Sequence, residues 1–329
     1  NAQYKLLDNI VGDSYSAPAQ GHLSKMSRKG SVLGWLIGNH AIFNGLALGI
    51  AALQLLKGLF KIPTTWHRRL GILYSLFFLP GVSLSAAYLV KQGPAETFSG
   101  PIFCYALWLL TASSLLTYGL GMTALAKGQL LKHRFWMRYH FAWMFSAPLL
   151  RLLWALCGLL FEGDLVINNI ATISISPLLI SGMMALVLAQ MVNTSRPSSS
   201  ATAPPNHWPI YCSIFLFGIV LFIVLGAKEQ ALHTQLAPFA FGLFLVITLL
   251  FAALYRLSSD LKNVQKNLCY GTYLKLFCLS PLLILIGLPL HGVFLAGTEL
   301  SLVGSMVTTW GLGFAFCAYI VVQRNSVHH

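Results

Sequence analysis

The sequence predicts an all-α protein, a polytopic bundle of about nine transmembrane helices. Of its 329 residues, 57% are hydrophobic and only 9% are charged, whereas roughly 25% of the residues of a soluble domain are charged. The apolar residues also come in uninterrupted runs of bilayer length rather than at amphipathic spacing. This composition therefore fits a protein that is surrounded by lipid.

Nine apolar runs are long enough to cross a bilayer as helices at 1.5 Å per residue. They are residues 31–57, 68–90, 100–126, 134–160, 168–192, 208–227, 234–256, 271–291 and 300–322. Lys and Arg cluster in the loops after the first, third and seventh runs, and such clusters are typical of the cytoplasmic side. The N-terminus is then expected outside and the C-terminus in the cytoplasm; the basic residues within 1–30 are the one exception to this pattern. Because the net charge of +13 is spread over these loops, topology explains it better than nucleic-acid binding.

Composition divides the chain into four segments. Residues 1–30 are polar, and residues 31–192 form a five-helix membrane half that contains most of the His and Arg residues within the apolar runs. Residues 193–207 are rich in Ser and Pro, as linkers are, and residues 208–323 form a four-helix half with few polar residues. We therefore expect any chemistry to lie in the first half and a packing role for the second.

Histidines mark the starts of the second and fourth spans. His67 and His133 lie at the same predicted depth, and His140 lies about 10 Å further in. Facing imidazoles on two helices can supply both axial ligands of a b-type haem. Arginines that could pair with haem propionates lie nearby; they are Arg68, Arg69, Arg134 and Arg138. The alternative is that these residues lie at the headgroup level, where His and Arg are ordinary.

Further polar residues lie deeper in the first and fourth spans. If the fourth span is one helix, five residues form a stripe within about 40°: His133, Met137, His140, Met144 and Arg151. An arginine inside an apolar run marks a functional-site candidate, although Arg151 could also snorkel to headgroups near the outer interface. His40 in the first span is expected near the depth of Arg151, and the two could hold an anionic group.

Four short motifs carry a family resemblance. They are Trp66-His67-Arg68-Arg69-Leu70-Gly71-Ile72-Leu73-Tyr74, Leu107-Trp108-Leu109-Leu110-Thr111-Ala112, His133-Arg134-Phe135-Trp136-Met137-Arg138 and Leu150-Arg151. In order and spacing they resemble the DUF2306 family of predicted bacterial membrane proteins, over about residues 60–160. The resemblance implies a multi-span inner-membrane protein and no settled activity. A looser likeness to the four-helix di-haem cytochromes of the b561 kind depends on histidines paired by depth, although two of the candidate ligands here lie at helix starts.

Two functions follow as expectations. The first is a multi-pass protein of the bacterial inner (plasma) membrane that binds haem b in a four-helix core and relays electrons to a quinone or a partner subunit. The second is a non-enzymatic accessory or assembly subunit of a membrane complex, or a small-solute or lipid-binding membrane protein. The sequence has no Walker A, dinucleotide-binding, H-E-x-x-H or G-x-S-x-G motif, so ATP-driven pumping, zinc proteolysis and lipase-type hydrolysis are poorly supported. Whether the protein is an enzyme stays open at this stage.

Overall fold

The described part of the chain is helical and contains no strand. The structure is a computed structural model. It describes residues 31–55, 63–97, 100–160, 165–192, 246, 248–250, 252–257, 269–276, 278–280 and 283–284. The N-terminal segment, the linker and most of the four predicted spans that follow it lie outside the described residues.

Six helices lie among the described residues between 31 and 192. They are α1 (Val32–Leu55), α2 (Thr64–Glu96), α3 (Gly100–Ala126), α4 (Leu130–Met144), α5 (Ser146–Leu160) and α6 (Leu165–Val192). By length and hydropathy three stretches of the described chain can cross a membrane, namely Val32–Leu55, Thr64–Pro94 and Phe103–Ala126. These three coincide with the first three predicted spans, and together with their apolar surface they support a protein embedded in lipid.

The turn between α3 and α4 is built by one glycine. Gly128 has φ of 69°, a conformation that costs glycine little because it has no Cβ. Its N–H donates to the carbonyl of Leu125, and the N–H of Gln129 donates to the carbonyl of Ala124, both at 2.9 Å. This is the Schellman pattern that ends helices. It turns the chain within three residues, so that α4 returns alongside α3.

The predicted fourth span, residues 134–160, is interrupted. Helix α4 ends at Met144 and α5 begins at Ser146, with Phe145 at the junction at φ −72° and ψ −7°. Pro148 has no N–H to donate to the carbonyl of Met144, and this loss interrupts a helix. Arg151 therefore lies on a different helix from His133 and His140, and the stripe predicted on one continuous helix is divided at this junction.

The first four helices form a closed ring. Helix α1 packs on α2, α2 on α3, α3 on α4, and α4 contacts α1. Neighbouring helices in the ring have opposite chain directions and are therefore antiparallel. As a result, α2 and α4 are parallel to each other across one diagonal of the ring. A buried cluster from α1 and α2 fills the interior with support from α3 and α4; its members are Ala47, Ala51, Tyr74, Phe78 and Val82.

The chain divides into two compact units, residues 1–169 and 170–329. All of the predicted site residues lie in the first unit. Because α2 and α4 start at the end of the ring where α1 and α3 finish, basic residues come together there. We call this the basic end: the first two turns of α2, the α3–α4 turn and residues 130–138 of α4.

Candidate functional site

His140 lies at the centre of the helix ring and is 1% exposed. Its Nδ1 lies 3.0 Å from the carbonyl oxygen of Ser114 on α3. Its Nε2 is hydrogen-bonded to the hydroxyl of Tyr74 on α2, a side chain that is 2% exposed. The imidazole therefore joins three helices, and the bond to Tyr74 crosses the diagonal of the ring.

The partners of His140 determine where its proton lies. A carbonyl oxygen can only accept, so Nδ1 carries the hydrogen that is donated to Ser114. In the neutral imidazole Nε2 is then the acceptor, and the Tyr74 hydroxyl donates to it. Buried polar atoms are costly unless they are paired, and here both ring nitrogens and the phenol are paired.

Aromatic rings surround the Tyr74–His140 pair. The Phe78 ring lies 4.6 Å from the imidazole, centroid to centroid, and the Tyr118 ring lies 5.6 Å from it. The hydroxyl of Tyr118 donates to Ser75 Oγ at 2.8 Å, and Ser75 donates in turn to the carbonyl of Gly71 at 3.0 Å. The two tyrosines thus lie side by side but have different hydrogen-bond acceptors, an imidazole and a serine hydroxyl.

His133 lies near the start of α4 and is half-buried. Its Nδ1 donates to the carbonyl of Gly121 at 2.9 Å, which leaves Nε2 as the nitrogen with the lone pair. A Cβ at Gly121 would lie 2.8 Å from the sulfur of Met137, a distance at which something must shift. The missing side chain of Gly121 therefore allows α4 to come close enough for this hydrogen bond.

His40 makes the same kind of contact between α1 and α2. Its Nδ1 donates to the carbonyl of Gly81 at 3.0 Å, and the amide of Asn44 lies 3.0 Å from the same nitrogen. Because Nδ1 carries the proton, we orient the amide with its oxygen towards the ring. A Cβ at Gly81 would lie only 2.3 Å from the end of the Asn44 side chain. Glycine is thus required where His40 and Asn44 meet α2.

The other two predicted residues differ in their surroundings. Arg151 is exposed, and its Nη1 donates to the carbonyl of Ala147 on its own helix at 3.1 Å. No hydrogen bond joins it to His40. His67 is half-buried at the start of α2, and its backbone carbonyl accepts from Gln54 at 3.3 Å. The predicted residues are thus not gathered into one site. The four histidines lie at three different depths of the ring, and Arg151 lies on α5.

The basic end is rich in cations and has no nearby carboxylate within the ring. Five exposed cations lie there: Arg68, Arg69, Lys127, Arg134 and Arg138. Arg69 stacks over the ring of Trp66 at 5.6 Å. Within residues 31–160 the sequence has a single carboxylate, Glu96, and it lies near the opposite end of α2. Within the ring these cations therefore have no acidic partner at their own end, and the site favours anions.

Sequence reasoning missed several partners of the histidines. Tyr74, Ser114 and the two glycine carbonyls of Gly81 and Gly121 were not singled out. One signal was present: Tyr74 follows His67 by seven residues, just as His140 follows His133. Seven residues are two helical turns, so each pair shares one helix face within about 20°.

Among the described residues there is no group of three His, Cys, Asp or Glu side chains that could hold a metal ion. Bis-histidine haem needs only two protein ligands, so this finding does not bear on it. At His140, ligation through Nε2 would require the Tyr74 hydroxyl to leave that nitrogen. At His133, the bond to Gly121 already holds the tautomer that an iron ligand needs.

The comparisons with known proteins identify a family for this part of the chain. Residues 37–193 match the family described as "Predicted membrane protein (DUF2306)", which is slightly less than half of the chain. No curated protein and no solved structure matches the chain. The match includes all five predicted site residues and Tyr74, and it confirms the resemblance drawn from the short motifs. Most of the segment that builds the helix ring is thus similar to the DUF2306 family, and this match together with the apolar helices supports an integral membrane protein.

Proposed function

We propose that this is a multi-pass protein of the bacterial inner membrane that binds b-type haem in its four-helix ring and relays electrons to a quinone or a partner subunit. The observation that carries the proposal is the register of α2 and α4. These two helices are parallel, and the Tyr74–His140 bond shows that Tyr74 and His140 lie at one depth.

This register supports a pair of haem ligands. His67 and His133 each precede a member of that bonded pair by seven residues, or about 10.5 Å of helix rise. They are therefore expected at equal depth, on the faces that α2 and α4 turn towards the same diagonal. Two imidazoles that face each other at one depth are the arrangement that bis-histidine haem requires.

The tautomer and the charges add to this support. His133 donates through Nδ1 to Gly121, so its free lone pair is on Nε2, the nitrogen through which an imidazole ligates iron when Nδ1 donates to a carbonyl. The neighbouring arginines have no carboxylate partner at their end of the ring. Arginine pairs well with carboxylates, and haem propionates would supply them.

The other predicted residues, His140, His40 and Arg151, are not the main haem ligands in this proposal. His140 is a second possible ligand, once Tyr74 releases it. His40 lies beside Gly81, about 21 Å of helix rise from His67, too far to share the same haem iron. Arg151 lies on α5 and is proposed to contact an anionic group near the outer interface, as expected from its depth.

The topology is part of the proposal. We propose about nine spans, with the basic end in the cytoplasm, the N-terminus outside and the C-terminus inside. The five exposed cations at one end of the described ring support this orientation, since such residues are retained on the cytoplasmic side. Cysteine accessibility at position 127 and at position 96 in whole cells would test it, with labelling of position 96 alone by an impermeant reagent as the expected result.

An absorption spectrum tests the haem. Protein purified after expression with adequate haem supply should show a Soret band, and an α band after reduction by dithionite. His67→Ala and His133→Ala should each abolish or shift these bands. His40→Ala is the matched control, because it removes a histidine of the same ring far from the proposed ligands. A wild-type protein without these bands would refute haem binding.

One observation favours the alternative of an accessory or assembly subunit. At Gly38, Gly45 and Gly49 of α1, no atom of the other described helices lies within 4 Å of where a Cβ would stand. Glycines at such spacing allow another helix to approach closely, so this face of α1 suits a helix of a partner subunit. Cysteine crosslinking from Gly45 in native membranes tests this, and a chain that remains a lone monomer would exclude it.

A small-solute or lipid-binding role predicts instead that Arg151→Ala weakens ligand binding.

A further inference from the structure

Tyr74 and His140 are enclosed in the centre of the ring. Their side chains are 2% and 1% exposed, so a substrate molecule has no contact with either. Electrons can reach such a pair without contact, and a proton can move within its hydrogen bond. The chemistry that this pair can perform is therefore transfer of an electron and of a proton.

The hydrogen bond is poised for proton transfer in one direction. Nδ1 of His140 donates to Ser114, so the only free basic position of the ring is Nε2, and the Tyr74 hydroxyl already donates to it. A phenol that loses an electron becomes a strong acid, and the apolar interior offers its proton no water. The imidazole is the base that can take this proton.

The surroundings suit an imidazolium better than a bare apolar core would. The rings of Phe78 and Tyr118 lie 4.6 Å and 5.6 Å from the imidazole centroid, in edge-type and tilted orientations. The Ser114 carbonyl continues to accept from Nδ1.

We infer that Tyr74 and His140 form a proton-coupled redox pair, a role that rests on and deepens the proposed electron relay. Tyr74 gives one electron to a one-electron oxidant, such as an oxidised metal complex or an organic radical. Its O–H bond breaks, the proton forms an N–H bond at Nε2, and the products are a neutral phenoxyl radical, an imidazolium and the reduced oxidant. Return of one electron restores the phenol as the proton moves back.

Tyr118 provides an internal comparison. It belongs to the same cluster of rings, 6.4 Å from Tyr74 between centroids, but its hydroxyl donates to Ser75 Oγ. A serine hydroxyl is a far weaker base than an imidazole, so oxidation of Tyr118 has no proton acceptor of comparable strength. The radical is therefore expected on Tyr74.

Electron paramagnetic resonance tests the inference. The full chain in lipid nanodiscs is illuminated with a ruthenium polypyridyl photo-oxidant and persulfate, then frozen. We expect a tyrosyl signal in the wild type that narrows after incorporation of deuterated tyrosine. The signal should persist in Tyr118→Phe and be lost in Tyr74→Phe, a substitution that keeps the ring. His140→Gln should also lose it, since the proton acceptor is removed.

Two outcomes would overturn the inference. They are the absence of a tyrosyl signal in folded wild-type protein, and a signal that survives Tyr74→Phe unchanged. Thermal unfolding of each variant shows whether a loss comes from misfolding, and Tyr118→Phe controls for removal of a hydroxyl from the same cluster. The haem proposal fails separately, through the absorption spectrum, because the photo-oxidant generates the radical whether or not haem is bound.

Discussion

The contact between α1 and α2 depends on the absence of a side chain at Gly81. A Cβ built there would lie 2.3 Å from the end of the Asn44 amide group, 2.8 Å from Asn44 Cγ and 3.2 Å from the Asn44 backbone nitrogen. In Gly81→Ala the Asn44 side chain must rotate away, and the two backbones must separate by a few tenths of an ångström. Both movements weaken the hydrogen bonds between His40 and its partners.

The cost of Gly81→Ala follows from these contacts. Overpacking a tight interior contact costs about 1–3 kcal/mol, and loss of one hydrogen bond costs about 1 kcal/mol. Alanine in place of glycine inside a helix returns up to about 1 kcal/mol. We therefore expect a net loss of about 1–3 kcal/mol in the free energy of unfolding, measured by titrating the detergent-solubilised protein with SDS and following tryptophan fluorescence and circular dichroism.

Two further variants make this prediction specific. Gly45→Ala, on α1, is the matched control. No atom of the other helices that the structure describes lies within 4 Å of its built Cβ, so this substitution should be neutral or slightly stabilising. Adding Asn44→Ala to Gly81→Ala removes the two closest atoms, so the double variant should cost less than the sum of the single variants. Equal stability of Gly81→Ala and Gly45→Ala, or strict additivity, would refute the proposed close contact.

The remaining predictions concern the ring centre and the basic end. In the same titration Tyr74→Phe and His140→Leu should each cost about 1–3 kcal/mol, because each leaves a buried polar partner unpaired; additive costs in the double variant would show that the two side chains do not bond. Nitrogen-15 NMR of labelled protein should find His133 with its neutral-form proton on Nδ1, and a proton on Nε2 would contradict the bond to Gly121. Arg69→Gln should reduce the amount of phosphatidylglycerol that native mass spectrometry finds retained, whereas Lys91→Gln near the other end of α2 should not; equal retention would argue against anion binding at the basic end.

Sequence patterns alone were sufficient to predict that this is a membrane protein, to place its first three spans and to identify the family that it resembles. Long apolar runs are a property of local composition, and a helix that crosses lipid satisfies its own backbone hydrogen bonds, so no tertiary information is needed to recognise it. The short motifs around His67 and His133 were likewise local, and they led to the same family that the comparison found. The haem ligands, the orientation and the count of nine spans stay predictions.

Local patterns were less reliable where a helix is interrupted or where helices meet. The stripe from His133 to Arg151 assumed one continuous helix, but Pro148 removes a hydrogen-bond donor and the helix breaks at Phe145. Within the helix ring, the closest approaches to a glycine occur at Gly81 on α2 and Gly121 on α3, whereas Gly38, Gly45 and Gly49 on α1 have no such contact with the described helices. Which small residue meets a neighbour depends on how the helices are rotated in the ring, and helix periodicity does not specify that rotation.

The sequence by itself determined that this chain is embedded in lipid and that most of the His and Arg residues within its apolar runs lie in the first half. Only the tertiary structure decided that His140 is paired with Tyr74. Those two residues are 66 positions apart, on helices that are not neighbours in the chain. Their contact exists because α3 is antiparallel to both α2 and α4, which makes α2 and α4 parallel across one diagonal. A hydrogen bond of this kind depends on the rotation and depth of both helices, which packing sets and composition does not.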